Sequence, residues 1–580
     1  VAARPLLFAL VLFAPFCDAV ESLRITQLQR CGDLLEEQRL SYCLSVRGIE
    51  EGPLEVLLGE QRLASDTVQR EGASLRLTLP VNTPSAALHL EQGKRRSNPV
   101  WLSSGRSQVL AAGPDEVEKN SDGLTSYRDL VGLLIEEKHE GLAEARRLAE
   151  KYQAQVVGAI PPLNFYQLRI PAKNLLERDA LILRIGSETS VDAVVVEESA
   201  PEKGEEAERN ASVRQSGQDE WIANRAADAV HFYRHAEGLL PAGKAPTPLR
   251  IGVIERDLDF DAPDFSAYLG ACHPQGRTCV YGRDASRADG HGSTVAGILA
   301  ANWGEGGNSG FLQALDDVGP GFEVIVERNS DAGISANIAA SVNLVEDGAR
   351  ILNWSWGIHR IGTRDVEGDE VDSLVRSGIA MSGYEELLEE FFLWLRREHP
   401  EVVVINSAGN GAAHSGADEY RLPSSFVTDQ LLVVGGHQRN PRSKGSVEDP
   451  DYVSRRDSSN LDMRVDVMAA ACVRASTAEA GKRGEVHCGT SYATPLVSAV
   501  VAAMLSINPQ LRPEELRMLL RRSAMTIGGD FEAVDAEDLT APILPSERAY
   551  QLDHPDVGRS ARLDMRKALE LARQSRDRVR

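Results

Sequence analysis

The chain has 580 residues, 42% of them hydrophobic, and its 86 acidic against 63 basic side chains give a formal net charge of −23. That length exceeds one ordinary domain and predicts about three. The apolar content supports packed cores, and the acidic balance argues against nucleic acid or an anionic membrane surface as a partner.

Residues 1–19 read as a signal peptide. Arg4 is the basic region, Pro5 to Phe16 the apolar region, and Cys17-Asp18-Ala19 a small-x-small cleavage site before Val20. A lipoprotein anchor on Cys17 is the alternative, disfavoured by the bulk of Phe16. A secreted or periplasmic protein is expected, without a membrane anchor, since no later apolar run reads as long and charge-free enough to span a bilayer. Six cysteines then remain: Cys31, Cys43, Cys272, Cys279, Cys472 and Cys488. An even set in an exported protein suggests disulfides, and sequence-local pairing gives 31–43, 272–279 and 472–488. Unpaired core thiols and zinc binding are the competing readings; no Cys-x-x-Cys supports zinc.

Residues 20–113 predict a small β-rich domain, with strands at Leu54–Leu58 and Ser74–Leu79, the latter alternating with period two. Residues 120–197 give the order βαββαβ. Asp129–Ile135 is apolar and Leu142–Ala149 has helical spacing. Ala154–Ile160 and Asn164–Ile170 flank Pro161-Pro162, Asn174–Leu183 is helical, and Val191–Val196 is strand-like. That order is ferredoxin-like α+β. Residues 198–220, rich in Glu, Ala, Ser and Gly, predict an exposed acidic linker. From 221 to 575, strands (Arg250–Ile254, Phe322–Val326, Arg350–Trp354, Val402–Ser407, Gln430–Val434) alternate with helices such as Ile334–Glu346 and Tyr384–Arg397. Near-continuous apolar runs predict a doubly wound α/β fold with a mostly parallel sheet, whose sites form at the strands' carboxyl ends.

Four stretches of this region carry chemistry. Arg250–Ile254 ends in Glu255, with Asp257 and Asp259 beyond it and then Ala262-Pro263-Asp264-Phe265. Asp289-Gly290-His291-Gly292-Ser293-Thr294-Val295-Ala296-Gly297 starts a small-residue helix at His291, a residue whose pKa near neutrality suits a general base. Val402–Ser407 runs into Ala408-Gly409-Asn410. Cys488-Gly489-Thr490-Ser491-Tyr492-Ala493-Thr494-Pro495 is a glycine-bearing turn entering a buried helix, with Pro495 expected in the first turn. Ser491 then sits where unpaired N–H groups and the positive dipole end favour a developing anion.

Gly-Thr-Ser-x-Ala-x-Pro, His-Gly-Ser-x-Val-Ala-Gly and Ala-Gly-Asn resemble the nucleophile, histidine and oxyanion motifs of the subtilisin-like serine proteases (subtilases). The resemblance runs with gaps from Trp221 to about Ala572, where Leu563-Asp564-Met565 resembles the start of the family's closing helix. It implies Ser491 as nucleophile, His291 as base, and the Asn410 side chain with the Ser491 N–H as the oxyanion hole. Arg350–Gly357 resembles the substrate-binding edge, where Ser355, Trp356 and Gly357 pair with peptide backbone. The acid departs from the pattern: Glu255 stands where the family carries Asp, and Asp257 where it carries Gly. Glu can orient an imidazole as Asp does; an ion pair of Glu255 with Arg256 is the purely structural alternative. The order acid, His, Ser differs from that of α/β-hydrolases and of chymotrypsin, and Ala493 breaks the Gly-x-Ser-x-Gly elbow.

The same resemblance likens the βαββαβ segment to a subtilase propeptide and makes the linker the zymogen cleavage site. It implies a secreted serine endopeptidase working through an acyl-enzyme and made as a zymogen. Its partners are protein or peptide substrates and its own propeptide. No cofactor is required; structural calcium is compatible with the family, although no aspartate-rich calcium loop and no metal ligand set is readable. The alternative is a catalytically inactive subtilase-like binding or scaffold module, with Glu255 as the discriminating feature.

Overall fold

Seven strands, largely buried on both faces, form the parallel body of the ten-stranded central sheet. In spatial order they are Thr278–Tyr281, Phe322–Glu327, Leu249–Ile254, Ala349–Trp354, Val403–Ser407, Leu431–Arg439 and Val467–Ala470. Every neighbouring pair is parallel. The computed structural model describes residues 21–32, 39–199, 221–240, 247–270, 272–284, 290–302, 309–328, 332–365, 374–413, 421–460, 465–476, 485–527 and 561–579. The expected signal peptide, Asp289 and residues 200–220 of the expected linker lie outside them.

Period-two alternation feeds two cores. Ile251, Val253, Val403, Ile405, Leu432 and Val434 face one side, packed on helices His291–Ala300, Thr490–Ile507 and Met565–Val579. Ile254, Leu352, Val404, Leu431 and Val433 face the other, under helices Ile334–Glu346 and Gly378–Glu398. Leu249–Ile254 is flanked by one strand from each winding direction, so the order reverses beside it. The carboxyl ends there form the crevice where doubly wound sheets place ligands.

The N-terminal segment forms two antiparallel sheets, one centred on Arg39–Arg47 and Ser74–Pro80, the other on Glu55–Leu58 and Ala86–Gln92. Ile25, Leu44, Leu77 and Leu90 bring side chains of both into one core. Next, Gln155–Ile160, Phe165–Arg169, Thr125–Ile135 and Val191–Ser199 pair antiparallel in that order, with helices Gly141–Tyr152 and Leu175–Ile185 as crossovers. Arg24 pairs with Asp261 at 2.7 Å and Arg47 with Asp284 at 2.6 Å, joining the N-terminal sheets to the loops around Glu255 and His291. Disulfides join Cys31 to Cys43, Cys272 to Cys279 and Cys472 to Cys488.

Three expectations are corrected. Glu198 does not begin an exposed linker: Val191–Ser199 is a continuous strand, and Glu197 and Glu198 are 5% and 4% exposed. Glu197 accepts from Ser335 N at 3.0 Å and the Tyr384 hydroxyl at 2.9 Å; Glu198 accepts from Ser377 N at 3.0 Å. Helix N-termini supply two of these donors, and they hold carboxylates that composition alone assigns to solvent. Second, a charge-free run of membrane-spanning length does exist, Thr490–Ile507, but 94% of it is buried inside the protein. Third, that helix starts at Thr490, so Pro495 lies in its second turn rather than its first.

Candidate active site

The Leu249–Ile254 strand delivers Glu255 to the sheet's carboxyl edge, where the chain turns at once: Glu255 N donates to Val253 O at 3.1 Å. The first residue of the helix opposite is His291, and its Nδ1 lies 3.0 Å from Glu255 Oε1. Close approach here depends on Gly292, where a Cβ would lie 2.5 Å from the Asp257 carbonyl oxygen and 3.2 Å from Glu255 Cβ. Glu255 is 11% exposed at its side chain and His291 28%, so the pair is sheltered yet open at the ring. The other acids of this stretch are engaged elsewhere. Asp257 faces Arg283 at 3.9 Å, and Asp259 accepts from Asp261 N at 3.0 Å, its carboxyl pushed up to about 6 by burial.

In the helix Thr490–Ile507, Ser491 is the single residue that is not buried. It is the second helical residue, so its N–H is one of the donors a helix leaves unpaired. Its hydroxyl donates to Ser355 O at 3.1 Å. The neighbouring Tyr492 ring lies 5.4 Å from the His291 ring, which sets the serine and histidine helices side by side. Pro495 has no N–H for the Ser491 carbonyl four residues back; the Ser355 hydroxyl takes that acceptor at 2.8 Å. Ser355 is itself held by Asn353 Nδ2 at 2.9 Å, and Asn353 accepts from Ser498 Oγ at 2.9 Å.

Asn410 follows the Val403–Ser407 strand. Its Oδ1 accepts from Thr490 N at 2.9 Å and Thr490 Oγ1 at 3.1 Å. An amide N–H can only donate, so Oδ1 must face Thr490 and Nδ2 must face the other way, towards Gly489. Thr490 also accepts from Gly409 N at 3.1 Å. One threonine therefore fixes the loop bearing Asn410 to the turn bearing Ser491.

Ser355–Gly357 leaves the Ala349–Trp354 strand at the same edge. Asn406 Nδ2 donates to the carbonyls of Trp354 and Trp356, both at 2.8 Å, which sets the path of this segment. Trp354 is fully buried and donates to Ser341 Oγ at 3.0 Å; it is core, with the Trp356 ring 5.0 Å away. The structure thus places Glu255 against His291, the His291 ring beside the Tyr492 ring next to Ser491, and Asn410 and Ser355 against the turn that bears Ser491. Sequence reading missed Thr490, Asn353 and Asn406 as supporting groups. The signal for Thr490 was its place inside the serine motif; the others carry no local signal.

Among the described residues no group of three His, Cys, Asp or Glu side chains is arranged to hold a metal ion.

Subtilisin DY of Bacillus licheniformis is 23% identical over 284 residues, 49% of this chain and 86% of that protein. A calcium-dependent protease of Trichormus variabilis is 25% identical over 309 residues, 49% of this chain but 43% of that protein, so the chain spans less than half of that relative. Among solved structures, fervidolysin of Fervidobacterium pennivorans aligns with a TM-score of 0.46 and 16% identity, over 82% of this chain and 64% of that one. The epidermin leader peptide processing protease of Staphylococcus aureus aligns with a TM-score of 0.48 and 16% identity, over 77% and 99%. The sequence model of the subtilase family matches residues 248–553, more than half the chain and the whole span from the Glu255 strand to the Ser491 helix, and this chain belongs to that family.

Proposed function

We propose that the protein is an exported serine endopeptidase made as a zymogen. Ser491 attacks the peptide carbonyl, His291 takes its proton and passes it to the leaving amine, and Glu255 orients the imidazole through Nδ1. The Ser491 N–H and Asn410 Nδ2 hold the oxyanion. A substrate strand adds along Ser355–Gly357, and its N–H competes for the Ser355 carbonyl that now accepts from the Ser491 hydroxyl. That exchange frees the hydroxyl to turn towards His291. No step requires a metal or cofactor.

The observation that carries this reading is the 3.0 Å contact of Glu255 with His291 Nδ1. It holds the imidazole by the nitrogen that the base role leaves spare, despite the longer acid. Export is supported by the leader-like residues 1–19 and the three disulfides. The zymogen reading is supported by the ferredoxin-like sheet packed on helices Ile334–Glu346 and Gly378–Glu398, ahead of the acidic stretch 200–220. A fluorophosphonate probe tests the chemistry. Labelling at Ser491 that disappears in His291→Ala is the expected result; correctly folded wild-type protein that stays unlabelled favours the inactive scaffold.

A further inference from the structure

Arg421 is 3% exposed, and its guanidinium meets only neutral groups among the described residues. Nη1 donates to Ser407 O at 2.6 Å, Ser424 Oγ at 2.9 Å and Asn406 Oδ1 at 3.4 Å, while Nη2 donates to Ser407 Oγ at 3.3 Å. Nε has no partner. Burial pulls its pKa down to about 9, with no carboxylate among the described residues opposing it. Arginine keeps its proton even so, and a buried charge without a counter-ion is a costly arrangement.

Its position gives that cost a use. The chain at His359 pairs antiparallel with Arg421, so the arginine rises beside the segment leading out of Ser355–Gly357. A Cβ at Gly357 would collide with the guanidinium, and one at Gly409 would lie 2.5 Å from Nε. The charged group therefore packs directly on the backbone of two glycines. One ends the proposed substrate edge; the other precedes Asn410 of the proposed oxyanion loop. Both segments adjoin Ser491, through Ser355 O and through Gly409 N on Thr490, so in the binding mode proposed above the residue being attacked lies beside them.

We infer that Arg421 is the specificity-determining residue of the cleft and that the protein cleaves after acidic residues, glutamate or aspartate. The inference rests on the protease reading above and adds the substrate class to it. An entering carboxylate supplies the counter-ion that no described residue offers and accepts from the planar fork as a bidentate partner. A neutral isostere leaves the guanidinium's charge unanswered.

The test uses the mature wild-type protein and tetrapeptide anilides that differ only at the residue before the scissile bond: Glu, Asp, Gln, Leu, Phe, Ala or Lys. Glu and Asp should exceed Gln in kcat/KM by about tenfold or more. Arg421→Gln should erase that preference and favour Gln and Leu, and Arg421→Lys should retain part of it. A wild-type preference for Phe, Leu or Lys, or for Ala because the guanidinium merely plugs the pocket, overturns the inference. So does an unchanged profile in folded Arg421→Gln. If that variant does not fold, inhibition of the wild type by matched peptide aldehydes ending in Glu or Gln decides instead: equal inhibition overturns the inference. Fluorophosphonate labelling of Ser491 separates the two levels. A labelled enzyme without acidic preference refutes the substrate class alone, whereas no labelling refutes the protease reading and this inference with it.

Discussion

The Ser355 hydroxyl donates to the Ser491 carbonyl at 2.8 Å, the acceptor that Pro495 leaves without a helical N–H. The proline is therefore a coupling device between the helix and the proposed substrate edge. Ser355→Ala removes that donor and leaves a carbonyl under-satisfied in the crevice, a loss of about 1 kcal/mol. Labelling of Ser491 should slow about fivefold. Adding Pro495→Ala restores a helical donor and should recover part of the rate, so the double mutant should be faster than Ser355→Ala alone. Additive losses in the cycle would refute the coupling.

The acid position can be tested by length and charge separately. Glu255→Gln keeps the reach to His291 Nδ1 but removes the charge that stabilises the imidazolium. Turnover of a peptide substrate should fall by about 10³–10⁴-fold. Glu255→Asp keeps the charge and withdraws it by one methylene, a misplacement expected to cost about 10²-fold at most. Equal, full activity of both variants would remove Glu255 from the mechanism.

How far the sequence carried can be read from particular residues. The five expected strands all stand in the central sheet, and the last four were legible as partly continuous apolar runs because burial on both faces leaves a composition signal. Thr278–Tyr281 and Val467–Ala470 escaped notice. Each has four residues, and the Val-Met-Ala-Ala of the second suits a helix as well as a strand. Glu198 looked like linker because its partner Ser377 lies more than a hundred residues away. Pro495 was misplaced by one turn for a similar reason. The start of its helix is fixed by Asn410 holding the Thr490 N–H, a tertiary contact. The motif residues themselves were legible because each has a chemical reason to be where it is. Arg421 was not, since nothing local distinguishes an arginine before Leu-Pro from a surface one.

Maturation offers a test on the whole chain. If Ser491 processes its own precursor, Ser491→Ala should accumulate the uncleaved form, seen by gel and intact mass. The wild-type N-terminus should fall within 200–220. Normal maturation of the alanine variant would rule out self-processing and leave an external protease as the agent.

The contact between the ferredoxin-like sheet and the helices beneath it should weaken as pH rises. Glu197 is fully enclosed there, and burial raises its carboxyl above the ordinary 4.5, outweighing the Ser335 and Tyr384 hydrogen bonds and the nearby Arg376, which favour the charged form. A raised carboxyl means the folded state prefers the proton. The stabilisation is fully present below the unfolded value near 4.5 and is lost as pH climbs through the raised one. Glu197→Gln mimics the protonated form and removes this titration. The comparison is between Ser491→Ala precursor with and without Glu197→Gln, so that processing does not intervene and other titrations cancel. Urea midpoints measured from about pH 4 to 8 should diverge upward in pH, with the glutamate form falling relative to the glutamine form. Parallel curves would mean that Glu197 does not sense pH at this interface.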